Sequence, residues 1–154
     1  MDSSLAEQLA LLNQNDKLLD DLYHDYATSL HLSDTALWIL YIVWIRGEGC
    51  TQKDICAMWS YAKQTINSSL KKLEKEGCIT LLPLPGNRKS KRVILTEAGK
   101  AIAQKAVPPL LEAEAVSLAR LDEQERSALV RLSQKRTAFF QKEIEKAIAA
   151  AHRE

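Results

Sequence analysis

The chain predicts a mainly α-helical fold, a winged helix-turn-helix core with helices on both sides. Three observations lead there. Two short helical segments, residues 51–60 and 63–76, are separated by a turn. Two apolar stretches, residues 79–82 and 92–95, follow as strands. Between them lies a cationic segment, Pro83-Leu-Pro-Gly-Asn-Arg-Lys-Ser-Lys91. A polar helix face beside a basic hairpin suits a DNA groove and its flanking phosphates.

Each element has its own signal. Leu5, Leu9, Leu12, Leu19, Leu22, Tyr23, Tyr26 and Leu30 recur at three- and four-residue steps, which predicts a first helix over about residues 4–30. Most of its acids fall off that stripe. Ser33 caps a second helix, because its hydroxyl accepts from a free N–H in the first turn. That helix is apolar almost all round from Ala36 to Ile45, so it is central. Gly47 and Gly49 end it. Thr51 caps the third helix with Asp54 three residues on, and Ser60 caps the fourth. In the fourth, Ile66, Leu70 and Leu73 face inward and Gly77 closes the end. Pro83 and Pro85 break the first strand, and Pro-Gly-Asn makes the turn. Thr96 caps the fifth helix, which Pro108-Pro109 interrupts by a kink or break. Asp122 and Glu125 form a capping box for a last helix over about residues 123–150, with Leu129, Leu132, Phe139 or Phe140, Ile144 and Ile148 as its stripe.

At 154 residues the chain makes one domain with appended helices. Three parts are expected: 1–32 as an N-terminal dimerisation helix, 33–100 as the DNA-binding core, and 101–154 as C-terminal dimerisation helices. A single winged module cannot bury both terminal stripes, and a two-fold homodimer can. The longest apolar run is too short to span a bilayer, and no basic region precedes an apolar stretch at the N-terminus. No membrane partner and a cytoplasmic location are therefore expected.

The net charge of +1 conceals an asymmetry. Residues 1–30 carry six acids against Lys17, a net of −5. Residues 61–92 carry eight bases against Glu74 and Glu76, a net of +6. The local field, not the isoelectric point, steers a polyanion. No phosphate loop or nucleophile elbow is present, so no enzyme and no catalytic residue is expected. Cys50, Cys56 and Cys78 lack paired metal-ligand spacing, and so do His24, His31 and His152; neither metal nor cofactor is expected. Buried reduced thiols are the plain reading of the cysteines. A redox switch is the alternative, with Arg46 and Lys53 near Cys50 as its hint.

The chain resembles the MarR family of bacterial regulators over nearly its whole length. Leu73-Glu-Lys-Glu-Gly-Cys-Ile79, the wing, and Val93-Ile-Leu-Thr-Glu-Ala-Gly99 carry the resemblance, with Leu121-Asp-Glu-Gln-Glu-Arg126 at the start of the last helix. One departure stands in the wing. The family's Asp-x-Arg falls on Asn87 and Lys89, so a wing-tip cation is kept but its planar fork is lost, and Arg88 is a second source of it. The resemblance implies a homodimeric DNA-binding transcription regulator. Most relatives are repressors that leave pseudo-palindromic operators when a small, often aromatic, ligand binds between the dimer region and the winged core.

On the fourth helix, Lys63, Gln64, Thr65, Asn67, Ser68 and Lys71 form the face offered to double-stranded DNA. Gln64 and Asn67 suit base readout, because a side-chain amide pairs with both edge atoms of adenine. Lys63, Ser68 and Lys71 suit phosphates. Thr51 and Gln52 add contacts from the start of the third helix. In the wing, Arg88, Lys89, Lys91 and Arg92 place cations at a minor groove. Tyr23, Tyr26, His31, Trp38 and Tyr41, with Trp44 nearby, are the residues for an aromatic effector. The competing reading, from a different class, is a winged protein-interaction module without DNA binding.

Overall fold

The computed structural model describes residues 3–59, 62–84 and 87–152, without the side chains of residues 48, 59 and 87–90. The elements run α1 (Ser3–Ser29), α2 (Asp34–Arg46), a short 3-10 turn (Gly47–Gly49), α3 (Gln52–Trp59), α4 (Lys63–Lys75), β1 (Ile79–Leu84), β2 (Asn87–Leu95), α5 (Glu97–Ala119) and α6 (Glu123–Ala151). The mainly helical winged architecture is as the sequence predicts. Two compact units divide the chain, residues 1–110 and residues 111–154. Among the described residues no single helix is long and apolar enough to cross a membrane.

The core of the first unit forms around α2. Ala36, Leu37, Trp38, Ile39, Leu40, Ile42 and Val43 are all buried on it, as an almost wholly apolar helix requires. Ile55 of α3, Ile66, Leu70 and Leu73 of α4, Ile79 and Val93 of the strands, and Cys50 and Cys78 complete one cluster with it. The α4 residues lie at i, i+4 and i+7, so one helix face is sealed and the opposite face is left in solvent.

The ends of the helices are fixed by local chemistry. Ser33 Oγ accepts from the Ala36 N–H at 3.3 Å. The Gly47 N–H reaches Val43 O with φ at 67°, where glycine costs nothing. Two helices end in the same left-handed motif. At α4, the Cys78 N–H donates to Leu73 O and the Gly77 N–H to Glu74 O, with Gly77 at φ 72°. At α1, the Leu32 N–H donates to Ala27 O and the His31 N–H to Thr28 O, but the left-handed residue is His31 at φ 58°. A histidine there costs about 1 kcal/mol more than a glycine.

Four local expectations turn out differently or fall outside the described residues. Ser60 lies outside the described residues, and the residue that precedes α4 is Ala62, with no side-chain cap. Pro83 does not break β1; it pairs with Lys91, and a register shift follows between Pro83 and Leu84. Its missing N–H is harmless because, among the described residues, β2 is the only strand beside β1. The expected Pro-Gly-Asn turn includes residues 85 and 86, outside the described residues. Finally, α5 runs as one helix through Pro108 and Pro109, so the break that is one of the two expectations there is absent. The two carbonyls deprived of partners belong to Gln104 and Lys105, both exposed residues that water can serve. Burial of Ala103, Ala106, Val107 and Leu110 offsets the loss.

The wing also gains a third edge. Thr51 bridges Arg92, and the Val93 N–H donates to Cys50 O at 2.9 Å. The residues just ahead of α3 are therefore stitched to the wing.

In the second unit, Asp122 and Glu125 form the expected capping box, with bonds of 2.8 and 2.9 Å. No described residue of α6 is buried, and Leu129, Leu132, Phe139, Phe140, Ile144 and Ile148 are all exposed.

Candidate nucleic-acid interface

The helix pair α3–α4 is held by polar bonds as well as by its core. Thr51 and Asp54 cap α3 reciprocally: Asp54 Oδ2 accepts from the Thr51 N–H at 2.8 Å and from its hydroxyl at 2.6 Å. The Asp54 N–H returns a bond to Thr51 Oγ1 at 3.2 Å. Those bonds to the Thr51 hydroxyl and N–H hold the Asp54 carboxyl below its ordinary range. Across the turn, Gln52 Nε2 donates to Asn67 Oδ1. This bond joins two of the residues assigned to DNA and orients both.

The outward face of α4 carries the expected side chains. Lys63, Gln64, Thr65, Ser68 and Lys71 are exposed, and Asn67 is half-buried beside Gln52. Ser68 Oγ donates to Gln64 O at 3.0 Å, one turn back. Lys72 leaves this face and stands 3.9 Å from Glu76.

Lys91 is exposed at the foot of the wing. Arg92 beside it is half-buried, and its Nε is covered without a hydrogen-bond partner among the described residues. The side chains of Arg88 and Lys89 lie outside the described residues, although both positions belong to β2.

Two structural residues escaped the sequence reading of the site. Glu74 Oε1 accepts from the Leu81 N–H at 3.2 Å and so pins α4 to β1. The Thr96 hydroxyl donates to Gly77 O at 2.6 Å and accepts from the Gly99 N–H at 3.1 Å. Such bonds join residues far apart in sequence, and only the cap at Thr96 had a local signal.

The cysteines are corrected against the redox hint. Cys50 and Cys78 are buried. Burial pushes the Cys50 thiol up to about 11, with Asp54 adding to the rise and Arg46 opposing it only weakly. Burial also raises Cys78. A raised thiol supports folding below its ordinary value near 9, and that support is lost as pH rises through about 11. Iodoacetamide at mildly alkaline pH is therefore expected to modify half-buried Cys56 first and leave Cys50 and Cys78 intact. Mass-spectrometric mapping of the folded protein checks this; early labelling of Cys50 would reinstate the redox reading. Among the described residues no His, Cys, Asp and Glu cluster could hold a metal.

Among the described residues, the five residues assigned to an effector have different settings. Tyr26 donates its hydroxyl to Ala106 O at 2.7 Å and ties α1 to α5, and burial raises its pKa accordingly. His31 lines a cavity of about 410 Å³ with Leu40, Ser69, Lys72, Glu76 and Ile102. Tyr23 packs on Trp38 at 4.8 Å between ring centres, and Trp38 on Tyr41 at 5.4 Å. Tyr23 and Trp38 border a separate cleft. Trp44 lines a third space, beside Val93 and Lys100.

Residues 32–90 match the model of the MarR family. The fold is shared with a MarR family regulator from Neisseria meningitidis, at TM-score 0.72 and 25% identity, covering 90% of this chain and 97% of that one. It is also shared with the transcriptional regulator SlyA, at TM-score 0.66 and 25% identity over 89% of this chain and 96% of that one. The MepR–DNA complex from S. aureus has the same fold at TM-score 0.69 and 17% identity, over 85% of this chain and 96% of that one. No curated relative matches the chain.

Proposed function

We infer that this chain, whose winged core matches the MarR family, is a sequence-specific transcription regulator that binds double-stranded DNA as a homodimer. The observation that carries the reading is one surface. It joins the exposed polar face of α4, the Gln52–Asn67 bond and exposed Lys91 at the foot of the wing, which the Thr51–Arg92 bridge ties to the start of α3. That combination meets both needs of DNA recognition, hydrogen bonding to base edges and neutralisation of phosphates. The likeness to a structure solved with DNA supports it. The protein-interaction reading has no comparable support, since it leaves the concentrated cations without a role.

Gln64 is the leading base reader. Asn67 shares the task, with its oxygen already engaged by Gln52. Lys63, Lys71 and Lys91 hold phosphates, with Arg92 beside Lys91 in the wing. Arg88 and Lys89 supply the minor-groove cation.

Exposed stripes on two helices support the homodimer. Leu5, Leu9, Leu12, Leu19 and Leu22 of α1 are in solvent, as are the apolar residues of α6. Patches of this kind mark interaction surfaces, and a second copy covers both. Two modules then meet half-sites about 34–36 Å apart, or multiples of that.

Small-molecule control is placed at the cavity beside His31. Its wall includes Ser69, Lys72 and Leu73 of α4 and Glu76 at its C-terminal cap, so an occupant touches the recognition helix from behind. His31 keeps a left-handed backbone that glycine would hold more cheaply. His31 and Lys72 suit an aromatic acid. A ligand that prefers one setting of α4 lowers DNA affinity, because the coupling is reciprocal. Repression of a target in the cytoplasm completes the reading.

The test is Gln64→Ala against a selected operator and a scrambled duplex. Discrimination between the two is expected to fall by roughly 5- to 100-fold, with little loss on scrambled DNA. Equal weakening on both duplexes would remove Gln64 from base readout.

A further inference from the structure

Glu74 is out of place by charge. Residues 61–92 carry eight bases, and Glu74 and Glu76 are their only acids. Glu76 follows the end of α4 and stands 3.9 Å from Lys72. Glu74 lies inside the last turn of α4, with Lys72 and Lys75 on either side. A carboxylate there opposes the helix dipole, and beside DNA it repels phosphates. Its one visible task is to accept the Leu81 N–H at 3.2 Å.

We propose that Glu74 is a positioning residue that sets the wing at a fixed angle to the recognition helix α4, an inference that rests on the DNA-binding reading. A two-stranded hairpin is marginal by itself, so its attachments decide where it points. The Val93 N–H turns away from β1 to Cys50 O, so its ladder partner Leu81 turns its own N–H outward as well. Ile79, the outward position before it, is buried in the core. Pro83, the outward position after it, has no N–H. Leu81 therefore holds the one accessible backbone donor on the outer edge of β1 before the register shift. Glu74 takes it and ties that edge to α4. The opposite edge is tied through Val93 and the Thr51–Arg92 bridge to the residues ahead of α3. Each strand of the wing is thus fastened to one helix of the α3–α4 pair.

On α4 the tether shares a row with residues assigned to DNA. Glu74 is seven residues, about two turns, beyond Asn67, and Lys71 lies between them at i+4. Asn67 accepts from Gln52 of α3. The row is therefore bonded to α3 at one end and to the wing at the other. Lys91, the exposed cation at the foot of the wing, pairs with Pro83, two residues beyond Leu81 along β1. A shift at Leu81 passes to Lys91 with little chain between. A charged acceptor bonds more strongly than a neutral amide, which gives a reason for a carboxylate in this basic stretch.

Glu74→Ala and Glu74→Gln in the full chain test it. Both remove the same charge, and only glutamine keeps an acceptor for the Leu81 N–H, so the difference between them isolates the bond. Glu74 is exposed, so neither change disturbs the core. In the free protein, Glu74→Ala is expected to speed amide exchange at Leu81 about tenfold, with Glu74→Gln close to the wild type. On the operator that the wild type selects, Glu74→Ala should flatten the salt slope by about 1.8, one phosphate contact for each wing of the dimer. It should also lose minor-groove protection in hydroxyl-radical footprints, while its preference for operator over scrambled duplex persists. Glu74→Gln should retain slope and footprint. Equal behaviour of the two variants, or a Glu74→Ala that melts earlier but keeps the wild-type slope and footprint, would overturn the proposal. A wild-type protein that selects no operator would instead overturn the DNA-binding reading; unchanged Leu81 exchange in Glu74→Ala would then remove the tether as well.

Discussion

Gly99→Ala is expected to destabilise the winged core by about 3 kcal/mol or more. A Cβ at Gly99 would stand 1.8 Å from Cys78 O, 2.8 Å from Cys78 C and 3.3 Å from its Cα. All three atoms are backbone, and none can swing aside. The Cys78 N–H is held by Leu73 O at 2.8 Å, and Cys78 O accepts from the Thr96 N–H at 3.1 Å. Ile79, the next residue, opens β1. Relief therefore requires α5 to back away, which breaks the Thr96 bonds to Gly77 and Cys78. Gly49→Ala is the matched control, because a Cβ there meets nothing within 4 Å. Thermal unfolding of the two variants should separate them by roughly 6–12 °C. A midpoint for Gly99→Ala close to that of Gly49→Ala would refute the close-approach account.

Joint replacement of Lys71 and Lys91 by alanine is expected to reduce operator affinity on the order of a hundredfold at moderate salt. Both are exposed, one on α4 and one at the wing, so neither change disturbs the core. Each phosphate contact contributes a slope of about −0.9 to the salt dependence. A dimer losing four contacts should have its slope flattened by about 3.6. Lys146→Ala is the control, a lysine paired with Glu143 on α6 at 2.7 Å. Fluorescence anisotropy across a salt series gives both quantities. An unchanged slope in the double variant would take these lysines out of the phosphate contact set.

Much of this fold is legible in local patterns. The Ile66, Leu70 and Leu73 spacing gave the sealed face of α4 directly, and Ser33, Thr51, Thr96 and Asp122 marked helix starts through their capping chemistry. Gly77 marked the end of α4, two residues beyond its last helical residue, Lys75. The failures have physical causes. Pro83 sits in β1 because, among the described residues, only one side of that strand is paired, which residue preference alone does not reveal. Pro108 and Pro109 lie within α5 because tertiary burial outweighs two lost hydrogen bonds. The Thr51–Arg92 bridge is too short to leave a period-two pattern. Arg46 and Lys53 suggested an activated Cys50, but burial dominates over charges near in sequence.

The interface residues were legible as a polar face and a basic hairpin, while their mutual bonds were not. Gln52 and Asn67 are fifteen residues apart, and nothing local announces that one orients the other. Of the five aromatic and histidine residues read as one effector site, Tyr26 is an anchor, His31 lines a cavity behind α4, Tyr23 and Trp38 border a cleft with carboxylates, and Tyr41 packs edge-on against Trp38. Composition gathered them; only three-dimensional placement separates them.

The most direct test of the central claim is selection of a randomised duplex library by the purified protein at low and high salt, with the bound sequences read out. Recovery of a two-fold related pair of half-sites, with binding that falls steeply as salt rises, is the predicted result. Weak, salt-sensitive retention of duplexes with no shared sequence would contradict it, and would return the winged core to the role of a protein-interaction module.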